Sequence, residues 1–185
     1  IQKHETPKYD RRCLKLSDDE IEKNLELNLP HSIRFKISDT IDIKISDILR
    51  GEIIINSNQL SDFVIIKSNK LPSYNFAVVI DDHLMKINYV LRGDDHISNT
   101  PKQILLYKSL DFEFPKFGHF PMIWGADKKR LSKRHGAVNV LEFEKNGYLP
   151  EALLNYLALI GWGSPDSKEK MNLAELISKF DLKDV

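Results

Sequence analysis

The sequence predicts an α/β protein, and three regularities along the chain carry this prediction. Short apolar runs in near-alternation with polar residues occupy positions 1–70, a pattern typical of antiparallel strands. Strongly apolar runs flank one helical stretch over 71–125, as in a parallel sheet with crossover helices. Helical spacing of apolar residues follows over 126–185. We expect these three segments to form separate parts of the protein.

Segment 1–70 predicts a mostly antiparallel, β-rich part with one short helix. Its four candidate strands are the runs SIRFKI, IDIKI, EIIIN and FVIIKS, separated by Asn, Asp, Ser and Gly residues. The stretch LSDDEIEKNLEL precedes them and predicts a helix. Ser17 is the candidate N-cap, and Glu20 stands three residues on, at the spacing of a capping box.

Segment 71–125 predicts half of a doubly wound α/β sheet. The run FAVVID at 76–81 is apolar nearly throughout, which favours a strand covered on both faces. The runs INYVLRG at 87–93 and FGHFPMIWG at 117–125 predict two more strands. Between them lies SNTPKQILLYKSL, which predicts a helix with Thr100 as its cap and Pro101 in its first turn.

Segment 126–185 contains the basic run KKRLSKRHGA at 128–137 and continues as helices. The stretch LPEALLNYLALIGWG has Pro150 at a helix start, apolar residues on one face and Gly161 as the stop. The stretch NLAELISKF predicts a further amphipathic helix.

Composition limits the classes of protein that this chain can represent. With 185 residues, of which 42% are hydrophobic and 29% charged, it fits an ordinary soluble globular protein. No apolar run approaches the roughly 18 residues of a membrane helix, so we expect no membrane partner. The single Cys13 cannot form an internal disulfide, which favours the cytoplasm. No coiled-coil pattern is present, and we expect a monomer.

The charge balance of the chain requires any nucleic-acid-binding surface to be local. The sequence contains 27 Lys and Arg residues against 27 Asp and Glu residues. Five of the first seven residues of the basic run are cationic. This run lacks the G-x-x-x-x-G-K-[ST] order of a Walker loop. It can be a loop that closes over nucleotide phosphates, with Lys133 among its cations, or a surface that binds an RNA backbone.

Polar residues stand where the predicted strand 87–93 ends. In an open parallel sheet, ligands bind beyond the carboxyl ends of the strands. Arg92 can pair bidentately with a carboxylate, Asp94 and Asp95 can accept hydrogen bonds, and His96 offers a donor or an aromatic face. The alternative, of equal weight on these residues alone, is a solvated turn whose aspartates favour a helix N-terminus.

Two further groups of residues carry less weight as functional sites. Asp81, Asp82 and His83 are consecutive, and adjacent side chains of a strand diverge, so a structural turn is favoured over a metal site. Cys13 has no Cys-x-Cys or Cys-x-x-Cys partner, so the chain encodes no complete zinc site.

Two long stretches of the chain resemble bacterial-type glutamyl-tRNA synthetases, a family of class I aminoacyl-tRNA synthetases. They are YNFAVVIDDHLMKINYVLRGDDHISNTPKQILLY and LSKRHGAVNVLEFEKNGYLPEALLNYLALIGWG. Within the second, RLSKR at 130–134 is similar to the K-M-S-K-S signature of that class. The resemblance covers almost the whole chain, and both stretches stand in the family's order and separation.

The resemblance implies ATP-dependent activation of L-glutamate to glutamyl-adenylate, followed by transfer to the terminal ribose of tRNA(Glu). ATP would carry Mg²⁺, and Lys133 would hold its phosphates as the catalytic residue. The implied glutamate-binding residues are Tyr74, Val78 and Arg92. The implied ATP-binding residues are Asp95, His96, Ile123, Arg130, Leu131, Ser132, Lys133 and Arg134.

The resemblance also implies a division of the chain into three domains. Residues 1–70 would be the inserted module that binds the tRNA acceptor end. Residues 71–125 would be the second half of a Rossmann-like catalytic domain. Residues 126–185 would hold the signature loop and a helical region that contacts the tRNA stem.

The chain departs from the family's pattern at several places. The H-I-G-H signature and the first half of the nucleotide fold are absent, as is an anticodon-binding region, so we expect an internal piece that is inactive alone. Arg130 replaces the usual first lysine of the signature and changes the donor geometry. Lys15 stands where some relatives carry a zinc ligand near Cys13, so we expect no zinc.

Three other functions remain as alternatives. A truncated paralogue transfers glutamate to a modified tRNA base, but it is shorter and diverges at GYLPEALLNYLALIGW. Glutaminyl-tRNA synthetase shares the fold and usually differs in the loop and its flanks. A non-catalytic RNA-binding module would grip phosphates with the basic run and turn nothing over.

Overall fold

The computed structural model describes residues 8–124, 128 and 139–185 of the chain. The chain divides into two compact units. The first contains Ile1–Ile45, Glu52–Asn88 and Ser98–Pro115, and the second contains Ser46–Gly51, Tyr89–Ile97 and Lys116–Val185. Each unit is assembled from separate stretches of sequence. The domain boundaries near residues 70 and 125 stay predictions.

The first unit begins with a 3-10 turn and a capped helix, α1 (Asp18–Glu26). The backbone N–H of Ser17 donates to Glu20 Oε2 at 2.8 Å, and the Glu20 N–H donates to Ser17 Oγ at 3.3 Å. Each residue therefore satisfies a backbone donor that the first helical turn leaves unpaired. The capping box predicted from the sequence is confirmed.

Four short strands follow α1, as predicted. Strand β1 (Ile33–Arg34) pairs antiparallel with β4 (Val64–Ile66). Strand β2 (Asp42–Asp47) neighbours β3 (Gly51–Asn56). Side chains of β2 alternate between exposed and buried along the whole strand, with Asp47 as the last buried one. This period of two is the pattern that the sequence showed.

Residues 74–84 form a helix, and the strand predicted over 76–81 is wrong. The helix α2 (Tyr74–Leu84) follows a tight connection from β4, and α3 (Thr100–Ser109) is the next helix of the first unit. A short apolar run does not distinguish a buried strand from a buried helix by its periodicity alone. Polar residues that flank the apolar run and pair with α3 identify this stretch as a helix.

One face of α2 packs against α3 with helical spacing. Val79 is fully buried on this face. Asn75 Oδ1, four residues earlier, accepts from Gln103 Nε2 at 3.1 Å. Asp82 Oδ2, three residues later, accepts from the Tyr107 hydroxyl at 3.4 Å. Positions i, i+4 and i+7 share one face of a helix but not of a strand, so these pairings require helix.

The helix predicted after the second strand is confirmed and is buried along most of its length. It begins at Thr100, so Asn99 and not Thr100 occupies the N-cap position, and Pro101 stands in the first turn as expected. Seven of its residues are buried: Thr100, Pro101, Gln103, Ile104, Leu105, Leu106 and Tyr107. This burial makes α3 the central element of the first unit.

The second unit is built on two parallel strands, β5 (Tyr89–Gly93) and β6 (Lys116–Phe120). Both strands were predicted, although β6 ends earlier than expected, immediately before Pro121, which has no N–H for a ladder. Asp47, at the end of β2, also belongs to this unit and pairs in parallel with Phe117. The carboxyl ends of β5 and β6 therefore lie side by side.

The described helices after the basic run are α4 (Val140–Lys145), α5 (Pro150–Ala158) and α6 (Leu173–Lys179). A small core of Trp162, Met171 and Leu176 joins α6 to the segment that follows α5. The helix α5 ends at Ala158 with Leu159 as its C-cap, earlier than the stop predicted at Gly161, which adopts a left-handed φ of +91° beyond the cap. No helix within the described ranges is long and apolar enough to span a lipid bilayer.

Candidate active site at the ends of two parallel strands

Arg92 and His119 are neighbours at the carboxyl ends of β5 and β6. The parallel register places Arg92 opposite His119 and Gly93 opposite Phe120. Arg92 Nε donates to His119 Nε2 across a distance of 3.2 Å. The Arg92 guanidinium carbon also lies 5.7 Å from the centre of the Phe117 ring, within the range of a cation–π contact. Arg92 is therefore held in place by the neighbouring strand.

The other ring nitrogen of His119 contacts a buried carboxylate. His119 Nδ1 lies 2.5 Å from Asp47 Oδ2, and neither side chain is exposed to solvent. Asp47 Oδ1 accepts from the backbone N–H groups of Leu49, Arg50 and His119, at 3.0, 3.1 and 3.3 Å. A buried charge requires such a set of donors, because desolvation without them costs several kcal/mol.

The pKa of Asp47 follows from two opposing effects. Burial raises the pKa of this carboxyl group, whereas the hydrogen bonds from the His119 ring and from three backbone amides lower it. The hydrogen bonds prevail, and the pKa of Asp47 lies below its ordinary value. Asp47 is therefore ionised at neutral pH although its side chain is buried.

Arg50 connects the same region to the turn after β5. Its Nε donates to the backbone oxygen of His119 at 3.2 Å, and its Nη2 donates to Asp94 Oδ2 at 2.8 Å. Asp94 begins the 3-10 turn Asp94–His96. The salt bridge is partly exposed, so its contribution to stability is small, but it fixes the start of the turn relative to β6.

The turn Asp94–His96 places Asp95 against the backbone of Gly93. A Cβ atom at Gly93 would come within 2.7 Å of Asp95 Oδ1 and 3.2 Å of Met122 Sδ. The Asp95 carboxylate therefore lies close to the Gly93 backbone, and a larger residue at position 93 would displace it. His96 Nε2 lies 4.0 Å from Asp95 Oδ2.

Ile123 lines an apolar cavity of about 330 Å³ that begins where β6 ends. Half of the Ile123 side chain is exposed. The other lining residues are Phe120, Pro121, Met122, Ile160, Gly161 and Val185. The second unit therefore contains three features next to the ends of β5 and β6. They are the fixed guanidinium of Arg92, the acidic turn Asp94–His96 and the apolar cavity.

Tyr74 and Val78 lie in the first unit, on α2. The sequence placed Tyr74 shortly before a predicted strand. In the structure it is the first residue of this helix. Because the two residues are four positions apart, they share one face of the helix. Tyr74 is exposed, whereas Val78 is half-buried.

Comparison with known proteins shows which family the chain belongs to. The family described as "tRNA synthetases class I (E and Q), catalytic domain" matches residues 1–185. The chain belongs to this family. The resemblance to bacterial glutamyl-tRNA synthetases that the sequence carries is confirmed.

Similar proteins from several bacteria are named glutamate–tRNA ligases. The glutamate–tRNA ligase of Coprothermobacter proteolyticus is 50% identical over 179 residues, and that of Aquifex aeolicus is 49% identical over 179 residues. Each match covers 96% of this chain and 38% of the relative. The chain therefore spans little more than a third of the length of these synthetases.

A solved structure shows the same fold. The crystal structure of the glutamate–tRNA synthetase from Elizabethkingia anophelis superposes with a TM-score of 0.80 at 35% identity. The superposition covers 93% of this chain and 38% of that one. The predicted α/β class and its kinship with class I synthetases are thereby confirmed.

Several expected site residues lie in the described part of the chain, and others do not. The second unit contains Arg92, Asp95, His96 and Ile123, and the first contains Tyr74 and Val78. The signature-loop residues Arg130, Leu131, Ser132, Lys133 and Arg134 lie outside the described residues. Their roles stay predictions.

Asp47, Arg50 and His119 are site residues that the sequence reading missed. Asp47 ends the run IDIKISD, and His119 stands within the run KFGHF. Both are polar residues at the ends of apolar strands, which is the signal that singled out Arg92. They escaped notice because 72 residues separate them, and their pairing depends on which strands are neighbours.

No group of three or more His, Cys, Asp or Glu side chains in the described ranges could hold a metal ion. Cys13 is exposed and has a free thiol. A zinc ion therefore has no ligand set in that part of the chain, and the acidic residues of the turn Asp94–His96 are engaged with Arg50 and the turn itself.

We predict that Asp47 stabilises the folded protein at neutral pH and that acid removes this effect. Because the folded-state pKa of Asp47 is depressed, its contribution is complete above roughly pH 4, the ordinary pKa of the group, and is lost as the pH falls further. Asp47→Asn should lower the free energy of unfolding at pH 7 by about 2 kcal/mol. Urea denaturation at pH 7 and pH 3 measures this.

The difference between wild type and Asp47→Asn should shrink at pH 3. The exposed Asp184→Asn variant removes one carboxylate without a buried partner and serves as the matched control. An equal cost of Asp47→Asn at both pH values would contradict the prediction.

Proposed function

We propose that this chain is part of a ligase that joins L-glutamate to tRNA(Glu) through glutamyl-adenylate. One observation carries the proposal. Arg92 is fixed by His119 at the carboxyl end of a parallel strand, in a chain that matches the class I E and Q synthetase family throughout. This is the place where open parallel sheets bind ligands. The similar proteins are named glutamate–tRNA ligases.

Arg92 is the proposed partner of a glutamate carboxylate. A guanidinium binds a carboxylate through two parallel hydrogen bonds, which fixes the orientation of the substrate as well as its charge. Tyr74 and Val78, which share a face of α2, are proposed as further glutamate-binding residues on the strength of the family. Tyr74 brings a hydroxyl group and Val78 an apolar surface.

ATP is proposed to bind along the turn Asp94–His96 and the end of β6. Asp95 would accept hydrogen bonds from ribose hydroxyls, with His96 beside it. The apolar cavity next to Ile123 suits the flat face of adenine. Arg130, Leu131, Ser132, Lys133 and Arg134 would close over the phosphates, whose negative charge a Mg²⁺ ion carried by ATP would partly neutralise.

The proposed reaction has two steps. A carboxylate oxygen of glutamate attacks the α-phosphorus of ATP, forming glutamyl-adenylate as pyrophosphate leaves. A hydroxyl of the terminal tRNA ribose then attacks the glutamyl carbonyl, forming the ester as AMP leaves. Lys133 would stabilise the negative charge that grows on the leaving pyrophosphate.

The remaining parts of the chain are proposed to contact tRNA. Residues 1–70 would bind the acceptor end, and the helices of 126–185 would contact the stem. The enzyme would be a cytoplasmic monomer. These assignments rest on the family to which the chain belongs and on the positions of the segments within it.

Arg92→Met tests the amino-acid site in the ligase that carries this chain. The variant keeps an unbranched apolar stem and loses the guanidinium, so we expect KM for glutamate to rise by about 10²-fold, the loss of a charge-assisted hydrogen-bond pair. ATP–pyrophosphate exchange at saturating ATP and tRNA measures it. Lys108→Met removes an exposed cation at the end of α3 and is the control. An unchanged KM in Arg92→Met would refute the role of Arg92.

Lys133→Ala distinguishes a catalyst from a binding module. In a ligase, adenylate formation should fall by about 10²- to 10³-fold while most tRNA affinity remains. Lys128→Ala, in the same basic run, is the matched control. A modest loss of tRNA affinity with a shallower salt dependence, and no turnover to lose, would favour the RNA-binding module instead.

The 185-residue chain by itself should support no ATP–pyrophosphate exchange. It lacks the H-I-G-H signature that is expected to stabilise the adenylation transition state together with Lys133. The measurement supplies glutamate, ATP and tRNA to the purified chain, with the ligase that carries it as the positive control. Robust exchange by the chain alone would show that the signature is dispensable.

A further inference from the structure

Three side chains form a continuous hydrogen-bonded line at the carboxyl ends of β2, β5 and β6. Asp47 Oδ2 lies 2.5 Å from His119 Nδ1, and His119 Nε2 lies 3.2 Å from Arg92 Nε. Asp47 and His119 have no solvent-exposed side-chain surface. The line therefore runs from a buried carboxylate, through a buried ring, to the cation that is proposed to bind substrate.

The chemistry of the three groups fixes the proton positions along this line. A guanidinium has only donors, so His119 Nε2 must accept from Arg92. A neutral imidazole has one acceptor nitrogen and one N–H, so the proton lies on Nδ1 and is donated to Asp47 Oδ2. The other oxygen of Asp47 accepts from three backbone amides, which prevents the carboxylate from rotating away.

We propose that Asp47 and His119 are positioning residues for Arg92, which set the plane of its guanidinium for a glutamate carboxylate. This inference rests on the proposed function of Arg92. A bidentate contact needs the guanidinium and the carboxylate to be nearly coplanar. A long arginine side chain reaches that geometry at a cost in rotamer entropy unless its orientation is already fixed.

Two further contacts support the same line. Arg50 Nε donates to the backbone oxygen of His119 at 3.2 Å, which holds the histidine on β6. The guanidinium carbon of Arg92 lies over the Phe117 ring, 5.7 Å from its centre. A hydrogen bond to Nε and a cation–π contact with Phe117 together restrict the movement of the guanidinium.

The proton position on His119 tests the line without any assay of activity. The ligase that carries this chain is labelled with ¹⁵N-histidine, and long-range ¹H–¹⁵N spectra are recorded at pH 7. The signal that disappears in His119→Gln identifies the residue. We expect a neutral ring with its proton on Nδ1. A proton on Nε2, or on both nitrogens, would overturn the proposal whatever the function of Arg92.

Kinetics test the role of the line in substrate binding. His119→Leu fills the space but neither accepts nor donates, and KM for glutamate should rise by about 10- to 100-fold, as for other residues that orient a binding group. KM for ATP should not change. His119→Gln, whose amide can accept from Arg92 and donate to Asp47, should recover most of the loss.

Two comparisons separate positioning from a loss of stability and from a wrong function. Leu176→Ala destabilises a buried cluster in α6 and should leave KM for glutamate unchanged. Adding His119→Leu to Arg92→Met should raise KM little further, because residues that act through one another are not additive. If Arg92→Met alone has no effect, the proposed function is wrong. If it has its effect and His119→Leu has none, the positioning role is wrong.

Discussion

The buried carboxylate of Asp47 is the constraint on which the rest of the second unit depends. A carboxylate without solvent must find donors on both oxygens, and Asp47 finds them in the amides of Leu49, Arg50 and His119 and in the His119 ring. Asp47 itself lies at the end of β2, and its donors come from the turn after that strand and from β6. Satisfying one charge therefore aligns three pieces of backbone, and the alignment places the ends of β5 and β6 where a ligand can meet them.

Buried polar side chains are paired differently in the two units. In the first, Asn75 and Asp82 of α2 meet Gln103 and Tyr107 of α3, so polar pairs fix the register of two helices around Val79. In the second, the polar line ends at a guanidinium on a strand end. The first arrangement closes on itself within the protein. The second leads to a group whose chemistry suits an anionic ligand, which is why it is the better candidate for function.

The features that could be predicted from the sequence are those encoded by residues close together along the chain. The capping box at Ser17, the alternation along β2 and the strand that contains Arg92 are all encoded within a few residues, and they were predicted. The helix α2 was mistaken for a strand because its buried face includes Asn75 and Asp82, which apolar patterning does not count. Asp47 and His119 were missed because their significance arises only when β2 and β6 become neighbours. Local patterns predict elements, whereas a site built across strands requires the topology.

A histidine between the carboxylate and Arg92 differs in function from a direct ion pair, and Arg11 shows the contrast. Arg11 Nε and Nη2 both donate to Asp62, at 2.8 Å each, so that carboxylate occupies the bidentate edge of the guanidinium. A carboxylate in the same position on Arg92 would offset the positive charge that attracts a substrate carboxylate. The neutral ring of His119 engages one donor, Nε, and passes on the orientation set by Asp47 without placing a negative charge beside the guanidinium. The imidazole thus fixes the orientation of the arginine without neutralising its charge. A fixed anion-binding group requires both properties.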